Sequence, residues 1–216
     1  MYTLQEIKSI HLETTEKCNL SCLMCGRNTH GGLVNQYLND NEITLDDIKK
    51  LPKSFIKNLD NFFMCGNYGE PILAKDTLAI FKYLRSINKN ISLRIMTNGC
   101  ARSSFWWEEL AYTIDKARFG IDGLEDTHKI YRKNASWNKI IQNAKTFIDA
   151  GGYAIWDFLV FQHNEHQIDE ARDLYKQQQS VDAGFLDVIS NTLIITIIGL
   201  MMRMGEKLKK LKEGES

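Results

Sequence analysis

The pattern that determines the fold lies in the stretch Ile7-Lys-Ser-Ile-His-Leu-Glu-Thr-Thr-Glu-Lys-Cys-Asn-Leu-Ser-Cys-Leu-Met-Cys25. Apolar and polar side chains alternate from Ile10 onward, which predicts a β-strand over residues 7–15. The two faces of this strand would carry Ile10, Leu12 and Thr14 on one side and His11, Glu13 and Thr15 on the other. A loop with three cysteines follows directly, so the chemistry of the protein is expected to begin at the end of the first strand.

Strand and helix patterns alternate along most of the remaining sequence. Further strands are predicted over residues 59–65, 91–97, 117–121, 153–161 and 185–189, and helices are predicted to begin at Thr44, near Asp76, at Ser103, at Ser136 and at Glu165. Strand-then-helix units in series imply parallel strands with right-handed crossovers. An open doubly wound sheet and a curved partial barrel both satisfy this pattern, and both place function at the carboxyl ends of the strands.

Composition and charge exclude some classes of protein. The 216 residues contain 27 Lys and Arg against 27 Asp and Glu, so a basic surface for general nucleic-acid binding is not expected. The first residues carry no apolar signal-peptide core, which favours a cytoplasmic protein. Residues 188–202 are uncharged but fall short of the about 20 needed to span a bilayer, so no membrane contact is expected. Residues 1–190 are predicted to form the core domain, and 191–216 a short irregular C-terminal tail, truncated or atypical.

The cysteine spacing is Cys18-x3-Cys22-x2-Cys25, which places three of the five cysteines within eight residues. In a reducing cytosol such a group binds metal or does chemistry more often than it forms disulfides. Three thiolates can hold three corners of a cubic iron–sulfur cluster and leave the fourth iron open to a ligand. The alternative is a structural zinc site with His30 as fourth ligand, although such sites usually contain two ligand pairs and only one is present here.

This cysteine spacing after the first strand resembles the signature of the radical S-adenosylmethionine (radical SAM) superfamily. Three later segments, each placed after a predicted strand, are similar to family elements: Gly69-Glu70-Pro71, Thr97-Asn98-Gly99 and Gly120-Ile121-Asp122-Gly123. The resemblance covers roughly residues 5–190. It implies an α/β fold, namely a partial (β/α)6 barrel of parallel strands, and so selects between the two architectures.

The resemblance also implies an enzyme with two cofactors. Cys18, Cys22 and Cys25 would hold a [4Fe-4S] cluster, and SAM would bind the open iron. Electron transfer from reduced ferredoxin or flavodoxin would cleave SAM to a 5′-deoxyadenosyl radical, which abstracts hydrogen from a substrate. A peptide substrate is suggested by similarity to the SPASM or twitch branch, although no auxiliary-cluster cysteine follows Cys100. A degenerate member that binds SAM without turnover is the remaining alternative.

Several cofactor-binding residues follow from the resemblance. Glu70 matches the acidic residue that contacts the methionine amino group, and Gly69 belongs to the same element. Met24 precedes the third cysteine, at a position where the side chain packs near adenine. Asn98 and Asp122 are candidates for ribose or carboxylate contacts, and turn formation explains them equally well.

Strand parity supplies the candidate catalytic residues. Glu13, Arg118 and Asp157 alternate with apolar neighbours, as does His11, so these side chains are predicted to point into the barrel. A charged side chain in the middle of an inward face must be paired or functional. A buried ion pair between Arg118 and Asp157 and a role in substrate binding therefore both remain open.

Overall fold

The computed structural model describes residues 3–177 and 185–189. They form one sheet in which every strand pairs in parallel with the next strand along the chain. The prediction of an α/β fold with consecutive parallel strands is therefore confirmed. The six strands, β1 to β6, are Ser9–Leu12, Asn61–Met64, Ser92–Thr97, Lys116–Gly120, Ala154–Leu159 and Phe185–Ile189.

Among the described residues, seven α-helices and two short 3-10 helices connect or follow these strands. The helix predicted to begin at Thr44 is present as Leu45–Lys49, and Thr44 and Asp47 form a capping box at its start by exchanging side-chain and backbone hydrogen bonds. The sequence patterns did not indicate the helices at Lys53–Asn58 and His128–Tyr131, which are only one or two turns long. Helices α1 to α7 are Leu45–Lys49, Lys53–Asn58, Thr77–Ile87, Ser104–Ala111, His128–Tyr131, Trp137–Asp149 and Ile168–Gln177, and the 3-10 helices are Pro71–Leu73 and Glu165–Gln167.

One face of the sheet packs against the helices and forms the hydrophobic core. Phe62 of β2 contacts the ring of Phe81 in α3 edge-on, with centroids 6.4 Å apart. Phe119 of β4 meets Phe147 of α6 in the same way, at 6.0 Å. All four side chains are buried, and burying each contributes about 1.5–3 kcal/mol to folding. The opposite face of the sheet is thereby left to line the interior of the barrel.

This opposite face carries the polar side chains that strand parity pointed inward. His11 of β1 is in register with Phe63 of β2, and their rings stack with centroids 4.6 Å apart. On β4 and β5, Arg118 and Asp157 reach each other across the same face. The sheet therefore presents a polar inner surface beside an apolar outer one, as the alternation in the sequence predicts.

The C-terminal tail, residues 191–216, lies outside the described residues, and so does the predicted domain boundary at 190. Within the described ranges, no helix has the length and apolar character required to cross a bilayer.

Candidate active site

The cysteine loop follows β1 and is held in place by the end of α5 and the residues just after it. The backbone N–H of Ser21 donates to the carbonyl of Lys133 at 3.1 Å, and that of Leu23 donates to the carbonyl of Tyr131 at 3.2 Å. Leu20 anchors the middle of the loop in the protein interior. A loop without regular secondary structure is thus held by main-chain hydrogen bonds to a distant part of the sequence.

The three thiols of this loop are free and half-buried. Burial raises the pKa of the Cys18 thiol to about 11 and also raises the pKa of Cys22. Two N–H groups point at the sulfur of Cys18, from the backbone of Leu20 at 3.4 Å and from Nδ2 of Asn98 at 3.9 Å. The thiolate is the form that binds metal, so metal loading has to displace protons from these groups.

Three cysteine thiols on one loop are a donor set that suits an iron–sulfur cluster. Across the residues that the structure describes, no three Cys, His, Asp or Glu side chains converge on a point where one ion could bind. His30, the predicted fourth zinc ligand, is exposed and has a backbone φ of 49°. Cluster thiolates bind separate irons, so they surround the group instead of converging on one point. N–H donors to a cysteine sulfur are a further feature of cluster sites.

The loop after β2 packs directly against the residues that lead into the cysteine loop. A Cβ atom on Gly66 would overlap the carbonyl oxygen of Gly69, and one on Gly69 would overlap the carbonyl oxygen of Thr15. The backbone N–H of Glu70 donates to the carbonyl of Lys17 at 2.8 Å. Only glycine allows this approach, and its result is that Glu70 lies next to the cysteine loop.

Glu70 is buried, and three hydrogen bonds orient its carboxylate. Oε1 accepts from the hydroxyl of Thr97 at 2.6 Å and from the backbone N–H of Ile72 at 3.3 Å, and Oε2 accepts from the backbone N–H of Asn98 at 2.8 Å. Burial raises the pKa of this carboxyl group, against the effect of the hydrogen bonds. A carboxylate offers about four acceptor positions, so Oε2 retains one for a ligand N–H.

A cleft with a volume of about 240 Å³ opens at the carboxyl ends of β2 to β5. Ligands of parallel α/β folds bind at this end of the sheet. The cleft combines backbone of the glycine turn with both acidic and basic side chains. Its walls are formed by Cys65, Gly66, Gly69, Glu70, Pro71, Met96, Thr97, Asn98, Arg118, Gly120, Arg132, Asp157 and Leu159.

Arg132 is a charged residue of the cleft that the sequence did not indicate. Its Nε donates to Oδ2 of Asp122 at 2.6 Å, and its guanidinium lies where a Cβ on Gly120 would clash with it. Although burial opposes the charge, the carboxylate of Asp122 holds the pKa of Arg132 above its usual value. Arg132 therefore stays cationic in the cleft. No periodicity or motif marks this residue, which lies just after the short helix α5.

The residues predicted to contact the cofactor differ in how far they are exposed. Met24 is 39% exposed on the cysteine loop, where a ligand can reach it. Asp122 is fully buried behind Arg132, and its Oδ1 accepts from the backbone N–H of Leu159 at 2.8 Å. Asn98 is also buried, between Glu70 and Cys18.

The candidate catalytic residues are engaged with protein groups. Nε of Arg118 donates to Oδ2 of Asp157 at 2.8 Å, and its Nη2 donates to Oδ1, so the pair is bidentate. Both side chains line the cleft. The carboxylate of Glu13 accepts from the backbone N–H of Asn67 at 3.1 Å and supports the loop after β2. The ion pair foreseen as one alternative is present, and the catalytic roles of all three residues stay predictions.

The family model described as Radical SAM superfamily matches residues 12–175. The chain belongs to the radical SAM superfamily. Two curated relatives extend this finding. A probable GTP 3′,8-cyclase of Methanocaldococcus jannaschii is 28% identical over 147 residues, which cover 67% of this chain and 47% of the relative. A GTP 3′,8-cyclase of Saccharophagus degradans is 20% identical over 199 residues, which cover 85% of this chain and 54% of the relative.

Solved structures share the fold of this radical SAM chain. The structure of anSMEcpe with bound AdoMet, which is SAM, matches with a TM-score of 0.64 at 18% identity, over 83% of this chain and 49% of that one. The structure of Streptococcus suis SuiB bound to the precursor peptide SuiA matches with a TM-score of 0.62 at 19% identity, over 79% and 37%. The partial-barrel architecture is therefore confirmed.

The radical SAM chain spans about half the length of the curated relatives it matches. The prediction of an enzyme is confirmed at the level of the family, since both relatives carry the names of enzymes. The family does not by itself assign a reaction, a substrate or a partner to this chain.

Proposed function

We propose that this chain binds a [4Fe-4S] cluster and SAM, cleaves SAM reductively to a 5′-deoxyadenosyl radical, and abstracts hydrogen from a peptide substrate. The main support is the hydrogen bond from the backbone of Glu70 to the carbonyl of Lys17. It places a buried carboxylate with a spare acceptor position beside Cys18, at the edge of the cleft. A cysteine loop alone would suit several metal centres, but a cysteine loop next to a site for an ammonium group suits SAM.

Cys18, Cys22 and Cys25 would be the cluster ligands. When bound, the cluster supplies the electron for cleavage of SAM. The chain itself holds the loop rigid through the carbonyls of Tyr131 and Lys133, so that the thiolates keep their positions. Half-burial of the thiols limits the access of water to this centre.

The cleft offers complementary groups for the amino acid part of SAM. Oε2 of Glu70 would accept a hydrogen bond from the ammonium group, a charge-assisted contact. The guanidinium of Arg132, which Asp122 keeps charged and oriented, would bind the carboxylate. Met24 would pack near the adenine, and the glycine turn at Gly69 would let the ligand approach the backbone closely.

Two observations support a peptide as the substrate. SuiB, which shares the fold, has been solved with a precursor peptide bound. The inner face of the sheet also presents the paired side chains of Arg118 and Asp157, which can exchange hydrogen bonds with the amide groups of a peptide. Reduced ferredoxin or flavodoxin in the cytoplasm would serve as electron donor.

Anaerobic reconstitution with iron and sulfide tests this function. We expect a brown protein that contains iron and sulfide in equal amounts and forms 5′-deoxyadenosine and methionine from SAM and dithionite. The variant with serine at Cys18, Cys22 and Cys25 should lose the colour and the reaction, while Cys100→Ser should keep both. One zinc per chain without sulfide would establish the zinc alternative, and SAM binding without cleavage would identify a degenerate member.

GTP is the second candidate substrate, because both curated relatives are named GTP 3′,8-cyclases. The same reconstituted protein can be incubated with GTP, SAM and dithionite, and the nucleotides analysed by mass spectrometry. A SAM-dependent isomer of GTP would favour this candidate over the peptide. Unchanged GTP together with 5′-deoxyadenosine formation would leave the peptide as the preferred substrate.

A further inference from the structure

Asn98 lies between the two parts of the proposed cofactor site and contacts both. Its backbone N–H donates to Oε2 of Glu70 at 2.8 Å, and its side-chain Nδ2 lies 3.9 Å from the sulfur of Cys18. The residue is 4% exposed, so these contacts form away from bulk water. A single residue therefore joins the carboxylate of Glu70 to one of the three thiols.

The orientation of this amide is fixed by its other partners. The backbone N–H of Cys100 donates to Oδ1 of Asn98 at 2.8 Å, so that end of the amide must be the acceptor. The NH₂ end then has two hydrogens to place, and Oδ1 of Asn19 accepts one at 3.0 Å. The second hydrogen faces the sulfur of Cys18. A flipped amide would put two donors against each other at Cys100, which excludes that arrangement.

We propose that Asn98 is a positioning residue whose side-chain amide donates a hydrogen bond to the Cys18 thiolate and raises the reduction potential of the cluster. This inference rests on the proposed cluster and goes beyond it. Hydrogen bonds to cluster sulfurs are among the factors that set the potential. A donor stabilises the more negative, reduced state more than the oxidised state, because the bond strengthens as charge on the sulfur grows. With both ends of its amide engaged by protein groups, Asn98 acts through Cys18 rather than by touching the ribose or carboxylate of SAM.

The test is a redox titration of the reconstituted protein, followed by electron paramagnetic resonance of the reduced cluster without substrate. Asn98→Ala removes the donor, and Asn98→Asp keeps an acceptor for Cys100 while replacing the donor with an oxygen. For both variants we expect the ratio of reduced to oxidised cluster at a fixed potential to fall about tenfold, which corresponds to about 59 mV for a one-electron couple. Asn134→Gly is the matched control, since it removes a contact to Ser21 of the same loop but touches no thiol.

Midpoint potentials of Asn98→Ala and Asn98→Asp equal to that of the wild type would overturn the inference, as would an equal shift in Asn134→Gly. A measurement on the wild type covers the case in which the variants hold no cluster. Asparagine labelled with ¹⁵N in its side chain should give a ¹⁵N hyperfine coupling to the reduced cluster, and the absence of this coupling would also refute the proposal. A wild type that assembles no cluster would instead contradict the proposed function itself.

Discussion

Arg132 and Asp122 form an ion pair at the rear of the cleft, with Nε and Oδ2 2.6 Å apart and the Asp122 side chain fully buried. The pair connects three parts of the fold, because Asp122 follows β4, Arg132 follows α5, and Asp122 also accepts from the backbone N–H of Leu159 at the end of β5. The ion pair therefore stabilises the shape of the cleft and fixes the position of the Arg132 guanidinium within it.

Removal of one member of this pair should be strongly destabilising. In Asp122→Ala the buried guanidinium of Arg132 loses its carboxylate partner. Leaving a buried charge unpaired in this way lowers the free energy of unfolding by about 3–5 kcal/mol. We expect a drop of this size in the free energy of unfolding, measured by urea denaturation of the cluster-free protein. Asp122→Ala combined with Arg132→Met should lose less than the sum of the single changes, because no unpaired charge remains.

The control for this cycle is the exposed pair of Lys145 and Asp149 on α6. Asp149→Ala should leave the free energy of unfolding within experimental error, since exposed pairs contribute little. An Asp122→Ala variant as stable as Asp149→Ala would show that the buried pair does not hold this part of the fold.

His128 should make stability depend on pH. This residue is 1% exposed, and burial lowers its pKa from 6.5 to about 3, with Arg132 acting in the same direction. Because the folded pKa lies below the unfolded one, the stabilisation is complete above pH 6.5 and is lost as pH falls towards 3. Between pH 7 and pH 5 we expect His128 to account for a loss of about 2 kcal/mol in the free energy of unfolding.

His128→Asn isolates this contribution. The carbonyl oxygen of asparagine can replace Nδ1 as acceptor for the backbone N–H of Asp122, and it does not titrate. The variant is less stable at every pH because the imidazole ring is lost. The quantity to compare is therefore the slope of the free energy of unfolding against pH. Equal slopes for the wild type and His128→Asn would contradict the pKa direction.

The sequence predicted the order of the strands and the place of the site because both depend on local patterns. Alternation located β1, and cysteine spacing located the candidate metal-binding loop directly after it. Gly69 and Glu70 were recognised as a turn after β2 from three residues alone. Since the carboxyl ends of parallel strands meet at one edge, these separate segments had to come together.

Arg132 and the partners of Asn98 could not be predicted in this way. Arg132 reaches the cleft only because α5 brings the following loop across the end of β4. This contact is a tertiary one, and no periodic pattern in the sequence indicates it. Asn98 was predicted either to contact SAM or to form a turn, and the sequence could not show that its amide is oriented by Cys100 and Asn19, which are distant from each other in the chain. Side-chain partners across loops are set by packing and not by local propensity.

The glycine turn after β2 should tolerate no side chain at Gly69. A Cβ there would overlap the carbonyl oxygen of Thr15, so Gly69→Ala must push the turn away from the cysteine loop and move Glu70 with it. We expect a large loss of SAM affinity in the reconstituted protein, measured by anaerobic equilibrium dialysis. Gly26→Ala is the matched control, because its Cβ would meet only the ring of Tyr68 at 3.4 Å, an ordinary contact. Equal affinities of the two variants would show that the close approach of the turn is not required.

Glu70→Gln should weaken SAM binding without unfolding the site. The oxygen of glutamine can still accept from the backbone N–H of Asn98, and its NH₂ group can donate to the hydroxyl of Thr97, so only the longest of the three hydrogen bonds, from the backbone N–H of Ile72, is lost. What disappears is the negative charge that would face the ammonium group of SAM in the proposed site. A hydrogen bond to a charged group contributes about 1.5–3 kcal/mol, which corresponds to a loss of about 10- to 150-fold in affinity.

Thr97→Val is the control, since it removes a contact to Oε1 and leaves Oε2 in place, and its affinity should fall less. Wild-type affinity in Glu70→Gln would mean that the carboxylate only caps the 3-10 helix that begins at Pro71.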